Sequence, residues 1–167
     1  MQLDSHGIAT TLPAGWEGRI TRRDDVAFVP ASPSTAGRSP LGGSGERMFP
    51  IAHLANFALP EDRGDFGSGA VELMGPDHLF ICLFEYGPEA VGTALFQAQG
   101  MPRDLVASQF NPRALQRTIP GQGGLQQFFT EGGRAFCLFI ALGAHRNARA
   151  LVAQANQVLT ATTIEPR

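Results

Sequence analysis

The part of the sequence most suggestive of chemistry is the cationic run His145, Arg146 and Arg149, at the start of an amphipathic segment. Cations there oppose the helix dipole, whose amino end is already positive. No Ser, Thr or Asp stands before them as a cap. A positive helix start with free N–H groups is suited to bind a phosphate or a partner's carboxylate. We therefore predict a partner- or anion-binding site at these three residues, with neutralisation by a nearby acid or by solvent as the alternative.

Other reactive side chains form no recognised catalytic or metal-binding pattern. Cys82 and Cys137 each lie inside an apolar run, which is typical of a buried cysteine acting as a small hydrophobe. A disulfide between them requires that their Cβ atoms face each other. The four histidines, at positions 6, 53, 78 and 145, lack ligand-like spacing. No serine stands in a Gly-x-Ser-x-Gly elbow, so the sequence predicts no catalytic residue, cofactor or metal.

Isolated polar residues are expected to have structural or solvated roles. His53 lies on the largely apolar face of a predicted strand, which favours a hydrogen-bonded structural histidine over a ligand or a base. Glu72, Glu85 and Glu131 lie near strand ends or turns, so we expect solvated carboxylates. Convergence of two of these acids for acid–base work is the alternative.

Among the elements that must position these residues, the clearest is the stretch 125–143, whose pattern predicts a β-hairpin. Glu131, Gly132 and Gly133 form its turn, because glycine readily adopts the positive φ that such turns need. The second strand, Arg134–Leu142, is apolar on both faces, so it must be covered on both sides. His78–Tyr86 has the same doubly apolar pattern. We predict that these two runs are the central strands of the sheet.

The remaining segments are predicted from periodicity and composition. Apolar residues recur at spacings of three and four over 144–160, which predicts an amphipathic carboxyl-terminal helix packed across the sheet. A short extended piece is expected at Thr162–Pro166. The proline-rich stretch 101–120 predicts an extended connection with a short strand near Ala114–Thr118. The Pro/Gly/Ser-rich stretch 30–46 predicts a flexible loop.

Composition limits the class of protein. The chain has 167 residues, 43% of them hydrophobic and 17% charged, which fits one α+β domain spanning 1–167. A net charge of −2 and a pI near 6.1 remove any whole-molecule electrostatic case for binding nucleic acid or an anionic membrane. The apolar runs are too short to span a bilayer, and no secretory pattern opens the sequence. We therefore predict a cytoplasmic protein without membrane insertion.

The opening GIATTLPAGW, with its Leu12-Pro13 and Gly15-Trp16 pairs, resembles the start of PsbP/Mog-type domains. The apolar strands and the closing helix that ends in TIEP are similar too, most of all to actinobacterial members of that group. The resemblance implies an antiparallel sheet with helices packed on its faces. It also implies a non-enzymatic role, because known members act as binding or assembly subunits on Ran GTPase or photosystem II. No family binding motif matches this sequence position by position, so no functional residue carries over.

Three functions follow as hypotheses. The first is a non-catalytic protein-interaction or adaptor module, whose partner is another protein and which could form a homo-oligomer. The second is a small-molecule or lipid-binding domain with an apolar pocket between sheet and helix, lined by some of the 12 phenylalanines. The third is an enzyme whose site is assembled from distant loops. An apolar cavity would favour the second hypothesis, and an exposed apolar patch would favour the first.

Overall fold

The computed structural model describes residues 1–22 and 49–167. The predicted flexible loop at 30–46 lies outside the described residues. The described part contains two antiparallel sheets and one α-helix, a mixed α+β arrangement made mostly of strands. Its elements are β1 (Gln2–Ser5), β2 (Ile8–Thr11), β3 (Glu17–Arg22), β4 (Pro50–Ala55), β5 (Leu79–Tyr86), β6 (Gly123–Glu131), β7 (Arg134–Leu142), α1 (Ala148–Thr160) and β8 (Thr162–Ile164).

The larger sheet has the strand order β3-β4-β5-β7-β6 among the described residues. β5 is its middle strand and pairs directly with β7, which confirms that the two doubly apolar runs are central. All nine residues of β7 are buried. The turn from β6 to β7 has Gly132 at φ 59° and Gly133 at φ 72°, the two consecutive positive φ values of a type I′ hairpin turn.

The helix α1 covers one face of this sheet. Its six buried residues are the predicted apolar stripe: Ala148, Leu151, Val152, Ala155, Val158 and Leu159. They pack against alternate residues of β7, such as Leu138 and Ile140, and against their counterparts on β5. Asn156 lies beside the stripe and binds the backbone of Leu105, accepting from its N–H at 2.9 Å and donating to its carbonyl at 2.9 Å.

The second sheet joins distant parts of the chain. β2 lies between β1 and β8, and Ile8 is opposite Ile164 in the β2–β8 register. The turn between β1 and β2 has positive φ at His6 and Gly7. At the other end of the chain, β8 confirms the extended piece expected at Thr162–Pro166. Neither β1 nor this second sheet is indicated by a pattern in the sequence.

The opposite face of the larger sheet is covered by loops and short 3-10 turns. Side chains such as Phe57, Phe66 and Leu115 pack there against Phe80 and Phe139 of the sheet. No α-helix of residues 1–22 and 49–167 covers this face, and the sandwich with helices on both faces that the PsbP/Mog resemblance implies stays a prediction. The strand expected near Ala114–Thr118 does not form, because a 3-10 turn at Pro112–Ala114 bends the chain there.

Candidate functional site: an apolar cavity on the loop-covered face

A cavity of about 230 Å³ lies on the loop-covered face of the larger sheet. Phe139 from β7 forms its floor and is 1% exposed. The Phe66 ring meets the Phe139 ring edge-on, with centroids 5.9 Å apart, and stacks on Phe84 at 5.0 Å. Aromatic pairs in these arrangements are favourable beyond the area they bury. The floor is therefore a fixed aromatic surface built on a central strand.

The cavity wall comes from two segments that are far apart in the sequence. Val71 belongs to a 3-10 turn, Val71–Leu73, which follows Phe66. Leu115 comes from the other side and packs over Gly124 of β6. A Cβ atom on Gly124 would stand 2.8 Å from Leu115 Cδ2, so a larger residue there would displace the Leu115 side chain. Asn111 holds this second segment on β6 through two backbone hydrogen bonds to Gly124, each 2.9 Å long.

The mouth of the cavity is polar and charged. It is formed by five side chains: Asp65, Ser68, Glu72, Gln116 and Arg117. Of these, Ser68, Glu72, Gln116 and Arg117 are exposed. Glu72 Oε2 already accepts a 2.6 Å hydrogen bond from the N–H of Gly69. The Arg117 guanidinium has no ion pair or hydrogen bond with any residue of 1–22 or 49–167.

His53 and Arg63 support the loop that carries Asp65. Arg63 Nε donates to His53 Nδ1 at 2.8 Å, so the ring proton is on Nε2, which donates to the Asp65 carbonyl at 2.7 Å. Burial lowers the pKa of His53 to about 4, and the Arg63 charge acts in the same direction. His53 is therefore neutral near pH 7. The prediction of a hydrogen-bonded structural histidine is confirmed.

Both cysteines lie on the same sheet face as the cavity. In the β5–β7 register, Cys82 is opposite Phe139 and Cys137 is opposite Phe84, so the two thiols are diagonal neighbours, and both are free. Cys82 donates to the Asp65 carbonyl at 3.1 Å. Burial raises the pKa of Cys82 well above its usual value and that of Cys137 to about 11. Both remain thiols near pH 7, which suits the predicted role of small hydrophobes.

Glu85 is buried, contrary to the expectation of a solvated carboxylate. Its side chain is fully buried and forms a two-point ion pair with Arg134, at 3.1 Å through Nε and 2.7 Å through the terminal nitrogen. The other three N–H donors of Arg134 bind the carbonyls of His6, Gly7 and Glu165. Every Arg134 donor therefore has an acceptor, and the pair fastens the small sheet to the end of the large one. This network is a structural one.

The three cations at the helix start are not held as one cluster. His145 and Arg146 belong to a 3-10 turn that precedes α1, and Arg149 lies in its first turn. Arg146 and Arg149 border one open depression of about 430 Å³, together with Asp77. His145 instead packs against Gly123, where a Cβ atom would stand 2.5 Å from its Nδ1. Asp77 is the nearby acid of the alternative hypothesis, and anion binding at these residues stays a prediction.

In residues 1–22 and 49–167, no group of three His, Cys, Asp or Glu side chains is placed to hold a metal ion. No helix of the same residues is long and apolar enough to cross a membrane. A cytoplasmic location stays a prediction.

Sequence reasoning missed the cavity. Its lining residues come from 65–72, 115–117 and β7, and no periodic pattern or short motif connects the three stretches. The doubly apolar pattern of β7 did indicate that both sheet faces are covered, and therefore that a second layer lies opposite α1.

Comparisons of this chain with protein-family models, with curated proteins and with solved structures find no match. The resemblance to PsbP/Mog-type domains therefore stays a prediction, and the geometry of the chain itself has to support any function.

Proposed function

We propose that the protein is a non-catalytic binding domain that holds a small, largely apolar molecule in the cavity above Phe139. The observation that carries the proposal is the combination of an aromatic floor with a polar mouth at one point of the sheet. Small-molecule sites are typically concave and apolar, with a few placed polar groups. This is the second hypothesis of the sequence analysis, with the pocket on the face opposite α1.

The cavity volume limits the ligand. A cavity of about 150 Å³ lined by apolar side chains accepts benzene. Sites for drug-sized ligands have volumes of about 300–1,000 Å³. The 230 Å³ found here lies between the two and suits a single ring with a short substituent, or a short aliphatic chain. A long acyl chain exceeds it.

The polar groups near the cavity floor support binding over chemistry. The raised pKa of both thiols keeps them in their weakly nucleophilic form near pH 7. Both nitrogens of the His53 ring are already in hydrogen bonds. The adaptor role is a separate proposal that depends on the PsbP/Mog resemblance.

A pair of matched variants tests the proposal. Val71→Phe fills the cavity, whereas Leu73→Phe adds a ring in the same 3-10 turn at a side chain that is 66% exposed and does not line it. We expect 2-phenylethanol to cause saturable shifts in the ¹H–¹⁵N spectrum of the wild-type protein around Phe66, Val71 and Leu115. We expect Leu73→Phe to keep this response and Val71→Phe to lose it.

Two results would overturn the proposal. One is the absence of saturable binding by the wild type to any of a panel of single-ring and short-chain compounds. The other is a folded Val71→Phe protein that binds 2-phenylethanol as the wild type does, because the probe would then occupy a different place.

A further inference from the structure

We infer that the ligand is a small monocarboxylate, whose apolar body occupies the cavity and whose carboxylate pairs with Arg117 at the mouth. The inference rests on the proposed function and adds the ligand's charge and head group to it.

Among the described residues that line the cavity, Arg117 is the only cation. Its guanidinium has no ion pair or hydrogen bond in the described part of the chain. A guanidinium presents a planar fork of N–H donors that fits a carboxylate or a phosphate through two parallel hydrogen bonds. Next to an apolar floor, that fork suits an acid attached to a hydrophobic body.

The acid at the same mouth limits the ligand to one negative charge. Glu72 lines the cavity with Arg117, so one carboxylate stands beside the one guanidinium. A group with two negative charges, such as a phosphate monoester, would meet more repulsion from the Glu72 carboxylate than a single carboxylate does. Glu72 accepts from the Gly69 N–H, which orients one of its oxygens toward its own loop. A single carboxylate on Arg117 is the anion that these charges accommodate best.

Four probes with the same phenyl body separate the head groups: phenylacetate, 2-phenylethanol, phenethylamine and phenyl phosphate. Their dissociation constants are measured by calorimetry or NMR titration at pH 7.5 and low salt. We expect phenylacetate to bind about tenfold more tightly than 2-phenylethanol, as a charge-assisted hydrogen bond at an exposed site allows. We expect the other two charged probes to bind more weakly than phenylacetate.

Arg117→Gln tests the assigned partner, and Arg113→Gln is its control. Arg113 is exposed and lies four residues earlier in the same segment without lining the cavity. We expect Arg117→Gln to lose the tenfold preference for phenylacetate while its affinity for 2-phenylethanol stays the same. Arg113→Gln should keep both affinities.

The outcomes separate this inference from the proposed function. Equal binding of all four probes, or tightest binding of phenethylamine or phenyl phosphate, overturns the monocarboxylate assignment and leaves the cavity as a binding site. An Arg117→Gln protein that keeps the preference also overturns it. Failure of these four probes and of the short-chain compounds of the panel to bind the wild type overturns the proposed function itself.

Discussion

Replacing His53 with Gln should flatten the pH dependence of stability in acid. Burial and Arg63 hold the folded-state pKa of His53 at about 4, against an ordinary value of 6.5. As the pH falls below 6.5, the unfolded chain takes up a proton at this site that the folded chain refuses. The free energy of unfolding therefore has its full value above pH 6.5 and falls between pH 6.5 and 4. The slope from this residue is about 1.4 kcal/mol per pH unit.

The magnitude can be worked out for one convenient pH. With these two pKa values, His53 lowers the free energy of unfolding by about 2 kcal/mol between pH 8 and pH 5. Carboxylates add their own pH dependence, but they do so equally in both proteins. The wild type should thus be more stable than His53→Gln at pH 8, and the gap should narrow by about 2 kcal/mol at pH 5.

Urea unfolding at a series of pH values provides the assay, with the fluorescence of Trp16, a buried core residue, as the signal. His6→Asn is the control, because His6 is exposed and asparagine tolerates its positive φ of 55°. The free energy of unfolding of the control should change with pH in parallel with that of the wild type. If the curve for His53→Gln is also parallel to the wild-type curve, the reasoning is refuted, because His53 would then have the same pKa in the folded and unfolded states.

Two further substitutions test contacts that hold the layers together. Arg134→Met leaves buried Glu85 with the partly exposed Arg167, at 2.9 Å, in place of its two-point partner, and it also removes three hydrogen bonds to backbone carbonyls. It should cost about 3–5 kcal/mol of unfolding free energy, whereas Arg103→Met removes a partly exposed pair and should cost about 1 kcal/mol. Equal losses in urea unfolding would contradict this difference. Asn156→Ala removes both hydrogen bonds to the Leu105 backbone and should lower the free energy of unfolding by about 1–3 kcal/mol, and with it the melting temperature. Gln157→Ala, at an exposed position, should change both little.

The parts of the fold that could be predicted from the sequence are those in which one local pattern decides the structure. Burial on both faces requires an unbroken apolar run, which marks β5 and β7. A stripe at spacings of three and four marks α1, and consecutive glycines mark the turn at Gly132. In each case the residues that carry the signal are close together in the chain.

The remaining features depend on contacts between distant residues. β1 has four residues, too few for a clear periodic signal, and becomes a strand because it pairs with β2. Glu85 stands near the end of an apolar strand, where a solvated acid is common, and its burial depends on Arg134 of the neighbouring strand. The cavity needs Phe66, Leu115 and Phe139 to meet, and the loops that bring them together have no regular pattern.

The position of the small sheet also orders the steps of folding. Thr10 and Thr162, joined by a 2.8 Å hydrogen bond between β2 and the start of β8, are 152 positions apart, whereas β6 and β7 are joined by a two-residue turn. Closing the longer loop costs more chain entropy, and the contacts that offset this cost form only late in folding. The β6–β7 hairpin and β5 should therefore form the folding nucleus, with the small sheet docking after the transition state. The three hydrogen bonds from Arg134 to backbone carbonyls should then slow unfolding and leave the folding rate nearly unchanged. They increase the kinetic stability of the native state.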